Sequence, residues 1–558
     1  MPSELDRKYD AVLAEKIGAG GPFVIERDAL GRAFVGNFPG TLPGLFEAFC
    51  GLHGDAEALV AGDERLSYAD LDARSTQLAR VLAGSWDVAK GDRVAIAMRN
   101  CPAWIVAYMA VLKAGGIATL MNGWWQPEEM RHAFDLAAPG LIIADPPRAK
   151  RLEAGGCTVA TVSLPVELPL DGALAPLRAR TQEADLPEIT PEDDATILFT
   201  SGSTGLAKGA VSTHRAVTTG TYAYALSLAV LLGIKERDRD PPKNPPRTLV
   251  NVPLFHVTGE VPVMLNSLVI ARCMVLMPKW DAGEALRLIA AEKITYFVGV
   301  PTMSLELMQH PDRDKYDLSS LTDIASGGAA RPVAHVARLE AAFTGAQPAQ
   351  GYGLTETNAA GTGNFWSNYH DKPASSGRAQ VPFVEIAILG QGDRHLPAGE
   401  RGEVAIRTAA NIRGYWQDEG ATAAAFTADH YLRSGDIGYL DDDGYLFIVD
   451  RKKDIIIRGG ENIAAQEVEA AIYAHPAVSE AAVFGVADER LGEVPAAVIW
   501  CEAAAPSEAE LHEFLATRLA PFKLPAYIWF AGAPLPRLGT GKIDKVLLRA
   551  QYRPQAAA

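Results

Sequence analysis

Ala195-Thr196-Ile197-Leu198-Phe199-Thr200-Ser201-Gly202-Ser203-Thr204-Gly205-Leu206-Ala207-Lys208-Gly209 decides how this chain is read. Residues 195–199 form a short apolar run with the composition of a buried strand. The eleven residues from Phe199 to Gly209 hold four hydroxyls, three glycines and one lysine. Glycine lets the backbone approach an anion and turn its N–H groups toward it, hydroxyls add short donors, and lysine adds a mobile positive charge. A plain Gly/Ser surface turn needs neither the lysine nor the strand ahead of it. The stretch therefore reads as a phosphate-binding loop fed by a strand. It is not the Walker A loop, which requires Gly-Lys-Ser/Thr after a four-residue gap; Lys208 stands between Ala207 and Gly209.

Further strand-like runs lie at 93–98, 141–144, 248–252, 273–277 and 294–300, with Ala-rich amphipathic segments such as 68–82 and 282–292 between several of them. This alternation predicts an α/β fold of layered, largely parallel sheets, whose ligands sit at the carboxyl ends of strands. The texture changes near Asp450. An apolar run at 445–449 is followed by the charged Asp450-Arg451-Lys452-Lys453-Asp454 and then Ile455-Ile456-Ile457. The division expected is a large N-terminal domain over 1–449, a hinge over 450–453, and a small mobile α+β domain over 454–558. The charged, proline-bearing stretch between Ile234 and Pro246 reads as a solvated loop or flap.

A chain of 558 residues exceeds one ordinary core. A net charge of −16 argues against a general nucleic-acid binder but leaves room for a nucleotide. The five cysteines are far apart with no Cys-x-x-Cys pair, which fits a reducing, cytoplasmic setting rather than a disulfide framework or zinc site. The most apolar stretch, 221–234, is shorter than the ~20 residues needed to span a bilayer and reads as a buried helix, so no stable membrane insertion is expected. The N-terminal residues lack a signal pattern and the last four lack a peroxisomal address. A homodimer is left open.

Other motifs join the loop at long spacing. Gln350-Gly351-Tyr352-Gly353-Leu354-Thr355-Glu356-Thr357 puts an aromatic ring, hydroxyls and a carboxylate in one turn, and Tyr431-Leu432-Arg433-Ser434-Gly435-Asp436-Ile437-Gly438 offers an exposed carboxylate. The charged run at Asp450 precedes Arg458-Gly459-Gly460-Glu461-Asn462-Ile463, and Pro536-Arg537-Leu538-Gly539-Thr540-Gly541-Lys542-Ile543-Asp544-Lys545 stands near the end. With these residues in this order, the chain resembles the adenylate-forming superfamily over about 42–545: acyl-CoA synthetases, peptide-synthetase adenylation domains and beetle luciferases. One departure is Ala207, where proline is commonest.

The resemblance implies ATP, Mg²⁺ and coenzyme A as co-substrates and cofactor. A carboxylate is activated on the α-phosphorus of ATP, pyrophosphate leaves, and AMP is then displaced by a thiol; such chemistry is mostly positioning and charge neutralisation. It also implies the following roles. Thr200, Ser201, Gly202, Ser203, Thr204, Gly205 and Lys208 cradle the β- and γ-phosphates. Tyr352 lies against adenine, with Gln350 and Gly351 in the same nucleotide-binding turn. Thr355 bonds the α-phosphate and Glu356 holds Mg²⁺. Asp436 accepts from both ribose hydroxyls, and Arg451 reaches the ribose or phosphate region. Lys542 enters the site during adenylation, Lys453 is the hinge, and Gly459 and Gly460 line the pantetheine tunnel after rotation.

Asn251-Val252-Pro253-Leu254-Phe255-His256-Val257-Thr258-Gly259 looks like the acyl-CoA synthetase form, with His256 as an aromatic gate near the substrate carboxylate; amino-acid-activating relatives commonly place an aspartate at that position. No carrier domain is expected after Lys545, which favours free coenzyme A. The acyl pocket is expected from 221–232, 259–268, 300–307 and 326–330, read as strongly apolar, the first two without an acidic or basic residue, with Tyr222, Tyr224, Met264, Met303 and Met308 as liners. The function expected is acyl-CoA synthesis from an apolar, medium- or long-chain fatty acid. The alternatives are a fatty acyl-AMP ligase that loads a carrier protein, an aryl or steroid-side-chain acid ligase, and a nucleotide-binding regulator with a decayed site; intact Lys208, Glu356, Asp436 and Lys542 argue against the last.

Overall fold

A computed structural model describes every residue except 1, 202–206, 329–330, 453, 459–460, 489, 539–540 and 554–558. Each strand-like run quoted above becomes a strand. Arg93–Ala97, Ile117–Leu120, Leu141–Ala144, Thr161–Ser163 and Asp194–Ser201 pair in parallel as the body of a seven-stranded sheet. Ala207–Thr213 and Gly414–Tyr415 extend that sheet in antiparallel fashion. These body strands read as continuous apolar runs because helices cover both faces. In Pro102–Lys113 every residue from Ala103 onward is buried.

The second sheet has thirteen strands. Its parallel body runs Glu57–Ala61, Cys273–Leu276, Arg247–Val250, Tyr296–Gly299, Asp323–Ser326 and Gln347–Gly353. From Gly361–Phe365 onward it turns antiparallel through Gly377–Ala379, Tyr445–Arg451, Leu432–Leu440, Gly402–Arg407 and Glu385–Leu389. The parallel expectation thus describes the body of each large sheet and not this antiparallel extension, in which strands such as Leu432–Leu440 mix polar and half-buried residues.

His214–Arg237 is a 24-residue helix, capped where Thr213 Oγ1 accepts from the Ala216 N–H at 3.2 Å. By length and composition it is able to cross a membrane, but it is largely buried inside the protein. It runs three residues past Ile234, taking in the first part of the stretch read as a loop, and Lys235 and Arg237 suit its C-terminal dipole.

The change of sheet falls between Arg451, the last residue of Tyr445–Arg451, and Ile456–Arg458. Asp450 and Arg451 therefore belong to the large sheet. Lys453 lies outside the described residues. The C-terminal sheet joins Glu461–Ile463, Ile456–Arg458, Gly492–Trp500, Glu480–Asp488 and Tyr527–Phe530. It has its own core, in which Val468, Ile472, Val483, Ile499, Leu511 and Leu515 meet.

Candidate active site

Asp194–Ser201 and Ala207–Thr213 form a hairpin in which Thr200 pairs with Lys208 and Ser201 with Ala207. The strands on either side of 202–206 are therefore paired, and Lys208 stands on the second of them. Gly202, Ser203, Thr204 and Gly205 lie outside the described residues. Lys208 Nζ stands 5.3 Å from the centroid of the Tyr415 ring and 3.9 Å from Asp418 Oδ2. The Tyr415 hydroxyl donates to Glu356 Oε1 at 2.9 Å. Lys208, on a strand of the first sheet, and Glu356, just beyond a strand of the second, both line a cleft of about 420 Å³ together with Tyr415, Arg433, Ser434, Gly435 and Lys452.

Glu356 is held by its turn. Gln347–Gly353 runs into the short helix Thr355–Thr357, and Asn358 turns left-handed at φ 47°. The Asn358 side chain donates to Ser212 Oγ at 2.9 Å and to the Ala410 carbonyl at 2.8 Å, which tolerates the unusual φ. Only glycine fits at Gly353, where a Cβ would stand 2.2 Å from the Ala359 carbonyl oxygen. Thr355 opens the short helix, next to Glu356. Gln350, expected to serve the nucleotide, is buried; its carboxamide oxygen accepts from Ser326 Oγ and from the Tyr369 hydroxyl, and its nitrogen donates to the Gly351 carbonyl. The Gln350 side chain thus braces two paired strands.

Asp436 corrects an expectation. Its carboxylate is not exposed: the residue is 2% exposed. Oδ2 accepts from the Tyr352 hydroxyl at 2.7 Å and Oδ1 lies 2.9 Å from Arg451 Nε. Strand pairing sets Arg451 directly opposite Asp436. Tyr352, Asp436 and Arg451 thus form one unit, and each carboxylate oxygen keeps a second lone pair able to accept a further hydrogen bond.

A second group of expected site residues lies beyond the carboxyl ends of the neighbouring parallel strands Arg247–Val250, Tyr296–Gly299 and Asp323–Ser326. Lys542 comes here from the C-terminal sheet's loop. A methyl on Gly328, whose φ is +76°, would stand 3.4 Å from Lys542 Cε and 3.8 Å from Nζ, and one on Gly541 would touch Val300 Cγ2 at 3.0 Å. Farther along the same interface the rings of His335 and Tyr473 meet edge to face at 6.1 Å. His256 Nδ1 accepts from the Thr258 N–H at 3.3 Å, which places the ring proton on Nε2. Burial, aided by the nearby Lys542 ammonium, pulls the His256 pKa down to about 3, so the ring is neutral. Phe255, beside it, packs edge-on against Trp124 at 4.9 Å. Gly459 and Gly460 lie outside the described residues.

Of the five pocket liners expected, Met303 borders Asn251, Gly299 and Gly541, and the Tyr224 hydroxyl donates to the Ala359 carbonyl beside Gly351. Tyr222 bonds the Pro39 carbonyl and packs on Phe38 and Phe49, Met264 is fully buried, and Met303 and Met308 both belong to the core around Phe297.

The reading of 259–268 as uncharged is also corrected. Glu260 sits in the π-helical turn Gly259–Leu265, fully buried; Oε1 accepts from the Tyr108 hydroxyl at 2.7 Å, and Oε2 has no hydrogen-bond partner among the described residues. A lone Glu in an otherwise uncharged ten-residue segment was the available signal. Burial raises its pKa to about 7. A carboxyl that ionises at 4.5 when unfolded and at about 7 when folded contributes most below pH 4.5, and that contribution is lost as pH rises to 7. Glu260→Gln is therefore expected to be more stable than wild type at pH 8, by as much as about 3 kcal/mol, and by less than about 1 kcal/mol at pH 5. Denaturant unfolding at both pH values checks this; a pH-independent difference would contradict it. Tyr415 also escaped the sequence reading, since Gly414-Tyr415-Trp416 carries no charge or phosphate-loop pattern.

The chain belongs to the AMP-binding enzyme family: the model of that family matches residues 46–416, and the model of the AMP-binding enzyme C-terminal domain matches 467–542. Among curated proteins it is 34% identical over 523 residues to the long-chain-fatty-acid–CoA ligase of Bacillus subtilis (strain 168), covering 88% of this chain and 90% of that one. It is 33% identical to the feruloyl-CoA synthase of an Amycolatopsis species, covering 89% and 96%. Among solved structures, o-succinylbenzoate CoA synthetase from Bacillus subtilis, in complex with the acyl-adenylate intermediate OSB-AMP, superposes with a TM-score of 0.78 at 28% identity, covering 92% of this chain and 99% of that one.

Proposed function

We propose that the protein is an AMP-forming acid–thiol ligase that converts an apolar carboxylic acid, foremost a medium- or long-chain fatty acid, to its acyl-CoA. The observation that carries this reading is the approach of Lys542 to Gly328 and His256, over the carboxyl ends of the central strands. That position puts a cation where an acid's carboxylate and an α-phosphate would meet. The Tyr352–Asp436–Arg451 unit would hold the ribose, and the hairpin with Lys208 would hold the phosphates that leave. The acid's carboxylate oxygen attacks the α-phosphorus, the bond to pyrophosphate breaks, and Lys542 offsets the negative charge gathered there. Neutral His256, with its proton on Nε2, neither repels the Lys542 ammonium nor competes with it for the carboxylate. A thiol then attacks the acyl carbonyl and AMP leaves.

Glu356 fits a magnesium site. Among the described residues no group of three or more His, Cys, Asp or Glu side chains surrounds a metal position, and magnesium bound through one carboxylate plus ATP phosphates and water needs none. When bound, the ion would neutralise phosphate charge. Rotation of the C-terminal unit, with Lys453 as pivot, would remove Lys542 before the thiol step. The five cysteines are free, which supports a cytoplasmic, reducing setting.

The test is formation of acyl-CoA and AMP, followed by mass spectrometry, across saturated fatty acids, hydroxycinnamates and steroid-type acids, with free coenzyme A or an acyl carrier protein as acceptor. The expected result is fatty acyl-CoA with coenzyme A and little carrier loading. The 33% identity to a feruloyl-CoA synthase supports a second reading, in which the hydroxycinnamates are the better substrates. Carrier loading without acyl-CoA would refute both.

A further inference from the structure

Lys208 and Glu356 open onto the same cleft with opposite charges, yet among the described ion pairs the one Lys208 makes is with Asp418, at 3.9 Å. Between the two stands Tyr415. We propose that Tyr415 is a positioning residue that holds the Glu356 carboxylate ready for the nucleotide's magnesium ion while keeping Lys208 free for phosphate. The inference rests on the reading of this cleft as the ATP site.

The backbone fixes the ring. Tyr415 lies on the two-residue edge strand paired with Ala210, and its N–H donates to Thr422 Oγ1 at 2.9 Å. The next N–H, of Trp416, donates to the Gly209 carbonyl at 2.7 Å, beside Lys208. Gly414 is packed so closely on Thr422 that a Cβ would stand 2.7 Å from its Cγ2. From this anchored position the hydroxyl reaches Glu356 Oε1 at 2.9 Å and the ring presents itself to Lys208 Nζ at 5.3 Å.

A lysine and a glutamate left alone in one cleft attract each other, and a closed pair would occupy both the metal ligand and the phosphate ligand. Tyr415 satisfies each separately, the carboxylate through a neutral donor and the ammonium through a ring face. The hydroxyl leaves the carboxylate its full charge and fixes its plane, and outer partners of this kind typically set metal affinity by 10–100-fold.

The test is calorimetric binding of ATP, without acid or coenzyme A, in the presence and absence of Mg²⁺. Tyr415→Phe keeps the ring and removes only the hydroxyl. It is expected to bind metal-free ATP within about twofold of wild type and to lose roughly tenfold of the gain in affinity that Mg²⁺ brings. In turnover, the Mg²⁺ concentration for half-maximal rate should rise by a similar factor, with KM for acid and coenzyme A unchanged. Tyr415→Leu, which also removes the ring, should weaken metal-free ATP binding as well. In a Glu356→Gln background, Tyr415→Phe should have no further effect on the Mg²⁺ response, a result that a folding defect would not produce. An unchanged Mg²⁺ gain in Tyr415→Phe, or equal losses with and without Mg²⁺, would overturn the inference. Failure of the wild type to bind ATP would instead overturn the reading of the cleft.

Discussion

Lys542→Ala is expected to slow acyl-adenylate formation by roughly 10²–10³-fold, the range found when one preorganised donor to a developing charge is removed. Thioester formation from supplied acyl-adenylate is expected to stay within about threefold of wild type. The asymmetry follows from geometry. Lys542 lies on a loop of the C-terminal unit, contributes nothing to either large sheet, and reaches the site only where Gly541 packs on Val300 and the side chain passes Gly328. Removing the side chain deletes a cation from the first step without disturbing the strands that shape the pocket. Measuring the two half-reactions separately checks this. Equal loss in both would show that Lys542 supports the fold of the site or serves the thiol step as well.

Asp436→Ala is expected to reduce kcat/KM for ATP by about 10²–10⁴-fold. Two hydrogen bonds from ribose hydroxyls to a carboxylate, at about 1.5–3 kcal/mol each, give that range. The loss should be confined to the nucleotide, with KM for the acid little changed. The protein should remain folded, because Arg451 is 44% exposed at its side chain and rehydrates when its partner is removed. Comparison of ATP with its 2′-deoxy analogue makes the test specific: wild type should favour ATP, and the variant should treat the two alike. A variant that still discriminated against the deoxy analogue would place the ribose elsewhere.

How far the sequence discloses these features depends on how local their causes are. The strands Arg93–Ala97, Leu141–Ala144 and Tyr296–Gly299 are legible because a parallel strand covered on both faces must be apolar along its whole length. The motif at 199–209 stands out in the sequence because its glycines, hydroxyls and lysine are contiguous. The antiparallel extension is harder to read, since strands such as Leu432–Leu440 alternate buried and half-buried residues and resemble loops. The burial of Asp436 could not be read from its own motif, because Arg451 reaches it only through the pairing of two strands. Tyr415 was hidden for the same reason: its hydroxyl acts on Glu356, 59 positions away in sequence. Glu260 was a different case. Its letter was plain among uncharged neighbours, and the apolar character of the helix as a whole obscured it.

The central claim is that this chain activates a carboxylate on ATP before any thiol takes part. Its most direct test is exchange of labelled pyrophosphate into ATP, in the absence of coenzyme A, with and without a fatty acid. The account predicts exchange that requires the acid, saturates with it, and disappears in Lys542→Ala. Exchange that is absent in wild type with every acid tried, or that proceeds equally without acid, would contradict it.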